Sequence, residues 1–350
     1  MLNLLRRHCL PSKMSLPKHL NIVALETFYT PLPPLTVPPP HTFTLTTYPR
    51  TSPAELPSRI QDAHILITTT IPLGTDILSN ATSTPNLRLI AVLASGTDSI
   101  DLPACRARGI RVLNSPGCNV DAVAEHAVGL YFAARRSLVP TMADLRAGEW
   151  PRRGTLMTRT FNAAGLAPRG CRDEVAVVVG YGGVGRRVEA LLAGLGMKVV
   201  VARRKGDAAP AAAGGRVPFD DALKMATVLV LCCPRTPDTL NMISGPELDT
   251  MRDDAVLINV ARGGIVDEEA LLRALREGRI AGAAVDVFGQ EPAGPETSVL
   301  LGADVQGLNL VVTPHTAWVG MDTTANYQRL LQENIEGFLK GEVVEERVRA

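Results

Sequence analysis

Short apolar runs recur along the first third of the chain: NIVALE (21–26), AHILITTT (63–70), LRLIAVLAS (87–95) and IRVLNSP (110–116). Each is too short for a typical helix and is bounded by turn-forming residues, so each reads as a buried strand. Segments with helical or turn character separate them. That alternation is the pattern of parallel strands covered on both faces by helices. PLPPLTVPPPH (31–41) interrupts it, because proline lacks the backbone donor and fixes φ. The stretch is expected to loop around the outside of a domain. DAVAEHAVGLYFAARR (121–136) returns apolar residues at spacings of three and four through Val123, Ala124, Ala127, Val128, Leu130 and Tyr131, which predicts a helix that Asp121 can cap. Residues 147–174 are polar and rich in glycine and arginine, and read as a surface connection.

The pattern then restarts more strongly. VAVVVG (175–180), MKVVVA (197–202), TVLVLCC (227–233), DAVLINVA (254–261), IAGAAVDVF (280–288) and NLVVTPH (309–315) are strand signals. RRVEALLAGLG (186–196) and DEEALLRALREG (267–278) are helices between them; the second begins with acids and carries arginines later, as the helix dipole favours. A last helix ends at Gly341. The whole is α/β, with two doubly wound parallel-sheet domains.

A length of 350 residues is consistent with two domains. The chain is 46% apolar and 20% charged with a formal charge of +1, so bulk composition suggests neither a nucleic-acid nor a membrane partner. Six cysteines without CxxC spacing imply reduced thiols and a cytoplasmic location. Residues 1–19 are basic, with no acid before Glu26, and read as an extension or a mitochondrial targeting segment. No HExxH motif or cysteine cluster suggests a metal.

The stretch VVVGYGGVGRRVEALL contains Gly180-x-Gly182-x-x-Gly185 after a strand and opening a helix. Gly180 permits a tight turn, Gly182 lets a pyrophosphate approach the backbone, and Gly185 lets the helix sit close to the strand. Tyr181, Gly183 and Val184 fill the positions between, so residues 180–185 are expected to bind a dinucleotide. The next strand runs into Arg203 and Arg204, where an NAD site would place a carboxylate on the ribose 2′-hydroxyl. Arginines attract a 2′-phosphate instead. The expected cofactor is NADP(H), with NAD(H) as the alternative.

NVARGGIVDEEAL (259–271), GAAVDVFGQEP (282–292) and TPHTAW (313–318) resemble, in order, the signatures of the D-isomer-specific 2-hydroxyacid dehydrogenases, as does ASGTDSIDLPACRARGIRVLNSPGCNVDAVAEHA (94–127). The resemblance implies a Rossmann nucleotide domain (121–315) inserted into a flavodoxin-like substrate domain (20–120 with 316–350), and a homodimer. It assigns Arg262 to the substrate carboxylate and keto oxygen, His315 to proton transfer, and Glu291 to orienting His315. It places Asp286 against the nicotinamide amide, and Pro234, Thr236 and Ala261 beside the cofactor. Ser95, Gly96 and Thr97 would hold the substrate carboxylate, and Trp318 either closes the substrate pocket or packs. His64 and His126 read as satisfied core histidines. The lead-in PRGCRDE and Thr316 depart from the family's usual residues. Glu291 argues against formate, since formate dehydrogenases carry glutamine there. The expected activity is NADPH-preferring reduction of a small 2-keto acid such as glyoxylate or hydroxypyruvate. The alternatives are a larger 2-keto acid, or a nucleotide-sensing corepressor-like binding protein.

Overall fold

The computed structural model describes residues 16–162, 164–207 and 215–342. Most of the proposed extension 1–19 thus lies outside the described residues, although His19 already opens the first strand. In chain order the elements are β1 (His19–Ala24), β2 (Thr42–Thr47), α1 (Leu56–Ile60), β3 (Ile65–Thr68), α2 (Thr75–Leu78), β4 (Leu89–Val92), α3 (Leu102–Ala107) and β5 (Arg111–Leu113). Then come α4 (Val120–Arg135), α5 (Leu138–Arg146), α6 (Glu149–Arg153), β6 (Val175–Val179), α7 (Gly183–Gly194), β7 (Lys198–Ala202) and α8 (Phe219–Met225). The chain continues through β8 (Val228–Leu231), α9 (Gly245–Thr250), β9 (Val256–Asn259), α10 (Glu268–Arg276), β10 (Gly282–Val285), β11 (Leu310–Val312) and α11 (Met321–Leu339). They sort into two compact units, Met1–Asn119 with Met321–Ala350, and Val120–Gly320.

In the first unit the strand order is β2-β1-β3-β4-β5, all parallel. Every residue of β3 and β4 is buried, as expected for a parallel sheet covered on both faces. Leu66, Ile90 and Val112 pack with Ile60, Leu78 and Cys105 on one side. The proline-rich loop lies along α11, where Gln328 and Gln332 donate to the carbonyls of Pro31 and Thr36 at 2.7 and 2.9 Å. The hydrophobic pattern did not show β2. Its sequence TFTLTT alternates only through Phe43 and Leu45, and as an edge strand it is mostly exposed, so its apolar signal is short.

In the second unit the order is β11-β10-β9-β8-β6-β7, again all parallel. A bridge between Ala202 and Val217 adds one residue pair beyond β7. The chain order reverses between β6 and β8, which makes the C-terminal ends of those strands the natural crevice for a ligand. Side chains alternate between two cores. Val177, Val179, Leu229 and Leu257 belong to one, and Ala176, Val178, Val230 and Ile258 to the other. α4 covers the second core with Val123, Ala127, Leu130 and Tyr131. At the far end of α4 the buried Arg135 pairs with buried Glu174 at 2.6 Å and donates to the carbonyls of Asp254 and Thr227. The stretch read as a surface connection is more ordered than its composition implied. It carries α6 and two 3-10 turns, and Arg159 binds Asp144 at 2.5 Å. Among the described residues, no helix is long and apolar enough to cross a membrane.

Candidate active site

The glycine-rich turn leaves β6 and enters α7 at the C-terminal edge of the second sheet. Gly180 has φ +93°, and a Cβ there would lie 2.5 Å from the Cys233 amide nitrogen at the end of β8. A Cβ on Gly185 would lie 2.1 Å from the Gly180 carbonyl oxygen. Both positions therefore require glycine for packing. Gly182 is different: it is the N-cap of α7, and a Cβ there would meet nothing within 4 Å. Open space in front of the first amides of a 12-residue helix fits a dinucleotide's pyrophosphate. Gly183 faces Val120 of α4, and Val184 packs against the second core.

The basic residues beyond β7 are not equivalent. Arg203 is 6% exposed, and its amide donates to the Val217 carbonyl at 2.8 Å. Arg204 is exposed. Lys205 turns to Glu247 at 2.8 Å and to the Met242 carbonyl at 3.0 Å. Two arginines outside the expected set stand beside Tyr181 of the glycine-rich turn. The guanidinium carbons of Arg186 and Arg216 lie 5.1 and 5.4 Å from the centroid of the Tyr181 ring, whose hydroxyl donates to Glu189. Arg216 could not be placed from sequence, since only the Ala202–Val217 bridge brings it beside β7.

Glu291 and His315 are hydrogen-bonded, and the turn that carries Arg262 packs on the segment before Glu291. Buried Asn259 ends β9 and shapes the next turn: its Oδ1 accepts from the Ala261 amide at 3.1 Å and its Nδ2 donates to the Arg262 carbonyl at 3.2 Å. Gly263 comes next, and a Cβ there would lie 1.6 Å from the Phe288 carbonyl oxygen. The absence of a side chain thus lets the Arg262 turn rest on the segment after β10. The amide of Phe288 donates to Glu291 Oε1 at 2.9 Å, and Glu291 Oε2 meets His315 Nδ1 at 2.6 Å. A carboxylate only accepts, so Nδ1 carries the proton and Nε2 remains for chemistry. Burial pushes the Glu291 carboxyl upward, but hydrogen bonds from His315 and the Phe288 amide outweigh it, with the charges of His315 and Arg262 adding to the same side. The net shift is downward, which keeps Glu291 ionised at neutral pH.

His315 has φ +54°, rare for a residue with a side chain. Its loop is fastened to Asp286, which is 1% exposed. Asp286 Oδ1 accepts from the Thr313 hydroxyl at 2.6 Å and the Thr316 amide at 2.9 Å, and Oδ2 accepts from the Ala317 amide at 3.0 Å. The resemblance placed Asp286 against a nicotinamide; these bonds direct its carboxylate to the His315 loop.

Pro234 and Thr236 form an exposed turn after β8, stitched by the Thr239 hydroxyl at 2.8 Å from the Pro234 carbonyl and 2.7 Å from the Thr236 amide. Arg235 of this turn donates to the Gly263 carbonyl at 3.4 Å. Ala261 is buried, and Trp318 packs against the second core. Ser95, Gly96 and Thr97 lie in the first unit, after β4, where Ser95 donates to Asn119 Oδ1 at 2.8 Å. His64 accepts from the Asn21 amide at 3.0 Å.

The sequence profile of the D-isomer specific 2-hydroxyacid dehydrogenase NAD binding domain matches residues 128–317. A glycerate dehydrogenase from Methylorubrum extorquens is 38% identical over 290 residues, 83% of this chain and 87% of its own. A glyoxylate reductase from Thermococcus litoralis is 33% identical over 288 residues, 81% of this chain and 83% of its own. Among solved structures, the NADPH-dependent glyoxylate/hydroxypyruvate reductase of Sinorhizobium meliloti in complex with NADP and malonate superposes with a TM-score of 0.70. It shares 26% identity and covers 94% of this chain and 95% of its own. The profile spans more than half of the chain, and both curated relatives align over most of their length. The chain therefore belongs to the D-isomer-specific 2-hydroxyacid dehydrogenases, a family of NAD(P)-dependent oxidoreductases.

Proposed function

We propose that the protein is an NADPH-preferring reductase of a small 2-keto acid, such as glyoxylate or hydroxypyruvate. The observation that carries this reading is the set of Arg262, Glu291 and His315 at the C-terminal edge of the second sheet. A planar guanidinium suits a planar carboxylate, and Arg262 both anchors the acid and polarises its keto oxygen. His315 delivers a proton from Nε2 to that oxygen, while Glu291 holds Nδ1–H and stabilises the imidazolium in the reverse direction. A bound reduced nicotinamide would supply the hydride for the keto carbon. Residues 180–185 would hold its pyrophosphate, and Pro234, Thr236 and Ala261 would flank it.

The charge pattern beyond β7 supports the preference for NADPH. No carboxylate stands at Ala202-Arg203-Arg204, while Arg186 and Arg216 stand over the Tyr181 ring of the glycine-rich turn. The Sinorhizobium meliloti enzyme, named for NADPH, glyoxylate and hydroxypyruvate, supports the same substrate class. We assign a second copy of the chain as partner, on the apolar surface of α5. Leu138, Met142 and Leu145 recur there at helical spacing, and each is 45% to 49% exposed. Among the described residues, Cys105, Cys171, Cys232 and Cys233 form no disulfide, which suits a reducing, cytoplasmic setting.

Initial rates test the reading. Glyoxylate, hydroxypyruvate, pyruvate and phenylpyruvate are each offered with NADPH and with NADH. The expected result is fastest turnover of glyoxylate or hydroxypyruvate with NADPH. A preference for NADH overturns the phosphate-binding role of the arginines. Tight cofactor binding without turnover of any acid overturns the reductase reading in favour of a nucleotide sensor.

A further inference from the structure

The bonds around Thr313 define the direction of each proton in a short polar chain. The Thr313 hydroxyl lies 2.6 Å from Asp286 Oδ1 and 3.0 Å from His126 Nε2. Both Asp286 oxygens already accept from backbone amides, and the single hydroxyl proton of Thr313 likewise goes to Asp286. The hydroxyl then has only lone pairs to offer His126. His126 Nε2 must therefore carry a proton and donate it. The same nitrogen stands 3.7 Å from Asp286 Oδ1.

His126 reaches Thr313 from α4, which packs against β10 and β11. Its neighbours one turn away, Val123 and Leu130, are buried apolar residues of the second core. The imidazole is 27% exposed, so most of a polar ring has left water. That is costly unless its hydrogen bonds are met, and Nε2 meets its bond on the loop that carries His315. Asp286 passes the restraint onward. Its carboxylate takes the amides of Thr316 and Ala317, and its backbone carbonyl takes the His315 amide at 2.7 Å. Between these anchors His315 adopts φ +54°. A side-chain-bearing residue persists there only when its surroundings hold it.

We propose that His126 is a positioning residue for the proton transfer. By donating to Thr313, it orients the hydroxyl toward Asp286 and so holds the 313–317 loop in the form that keeps His315 on Glu291. The proposal rests on His315 being the proton donor of the reductase reading. His126 touches no reacting atom; it acts through Thr313 and Asp286.

Three variants test it. His126→Leu removes the donor, His126→Gln keeps an N–H at similar reach, and Thr313→Val removes the relaying hydroxyl. The measurements are thermal unfolding, steady-state kinetics, the solvent deuterium isotope effect on kcat, and amide hydrogen exchange at Thr316 and Ala317. His126→Leu and Thr313→Val are expected to lower kcat by about 10-fold to 100-fold, the scale of a small misplacement at a reacting centre. KM for the cofactor stays near the wild-type value, and the isotope effect rises as proton transfer becomes limiting. Exchange at the two loop amides accelerates, and His126→Gln restores most of each change. A merely structural role would lower the unfolding temperature without raising the isotope effect. A folded His126→Leu protein with wild-type kcat and loop exchange overturns the proposal, as does a loss that His126→Gln leaves unrepaired. If His126→Leu does not fold, wild-type rate and exchange in Thr313→Val overturn it equally. Should the wild type turn over no keto acid, the reductase reading falls, and exchange at Thr316 and Ala317 still decides whether His126 holds the loop.

Discussion

Gly180 and Gly182 stand two positions apart in one turn, yet their surroundings ask different things of them. A side chain at Gly180 would meet the backbone of Cys233 in a left-handed conformation, whereas one at Gly182 would enter open space. Gly180→Ala is therefore expected to destabilise the protein by about 1–3 kcal/mol. Gly182→Ala should unfold at nearly the wild-type temperature but bind cofactor roughly tenfold more weakly or worse, since a methyl group there would stand where the pyrophosphate approaches. Thermal unfolding and calorimetric titration together check the contrast; equal loss of stability in both would remove the pyrophosphate assignment. Glu291 supplies a second prediction at this scale. Its carboxyl is held below the usual glutamate range in the folded protein: burial raises it, and the hydrogen bonds and charges of His315, the Phe288 amide and Arg262 more than reverse that. A lowered folded value means the stabilisation is complete above the ordinary range and fades as pH falls through the folded value. The unfolding temperature of wild type should exceed that of Glu291→Gln at neutral pH, and the gap should close on acidification. The same variant should lose about 10-fold to 100-fold in kcat, since an amide does not stabilise an imidazolium.

Among the elements, α4 is the clearest case of a helix whose end matters more than its propensity. Its apolar stripe was legible from spacing, and Val123, Ala127, Leu130 and Tyr131 are buried as the period requires. Arg135 stands in its last turn, where spacing alone assigns it no partner. The structure buries it against Glu174, with further bonds to Asp254 and Thr227 carbonyls beside the starts of β9 and β8. Arg135→Ala leaves a buried carboxylate without its cation, and is expected to cost about 3–5 kcal/mol in urea unfolding. A loss under about 1 kcal/mol would show that water replaces the guanidinium. β2 is the opposite case. Its alternation rests on two half-buried residues, Phe43 and Leu45, and the strand pairs with β1 in matching register.

For the molecule as a whole, the exposed stripe of α5 makes association the expected state. Met142→Glu with Leu145→Glu should shift sedimentation from dimer toward monomer at micromolar concentration while each chain stays folded. Sedimentation of the wild type as a monomer would remove the second copy from this surface. Both residues lie outside the bond that joins Glu291 and His315.

Fold class and family were legible in the order of residues alone. A parallel strand buried on both faces must be apolar throughout, so β3, β4, β8 and β9 are recognisable locally. The glycine turn is equally local, because its three glycines answer to neighbours within one strand–turn–helix unit and to β8 packed beside it. Other features had no local signal. Glu291 and His315 are 24 residues apart, and spacing alone could not pair them; their contact at 2.6 Å depends on β10 and β11 lying side by side. Arg216 reaches Tyr181 because of one bridge to β7, Arg203 is buried beside that same bridge, and His126 meets Thr313 across 187 residues. Burial periodicity is written into each segment, but the partner of a polar side chain is set by which strands become neighbours, and that is decided only when the sheet assembles.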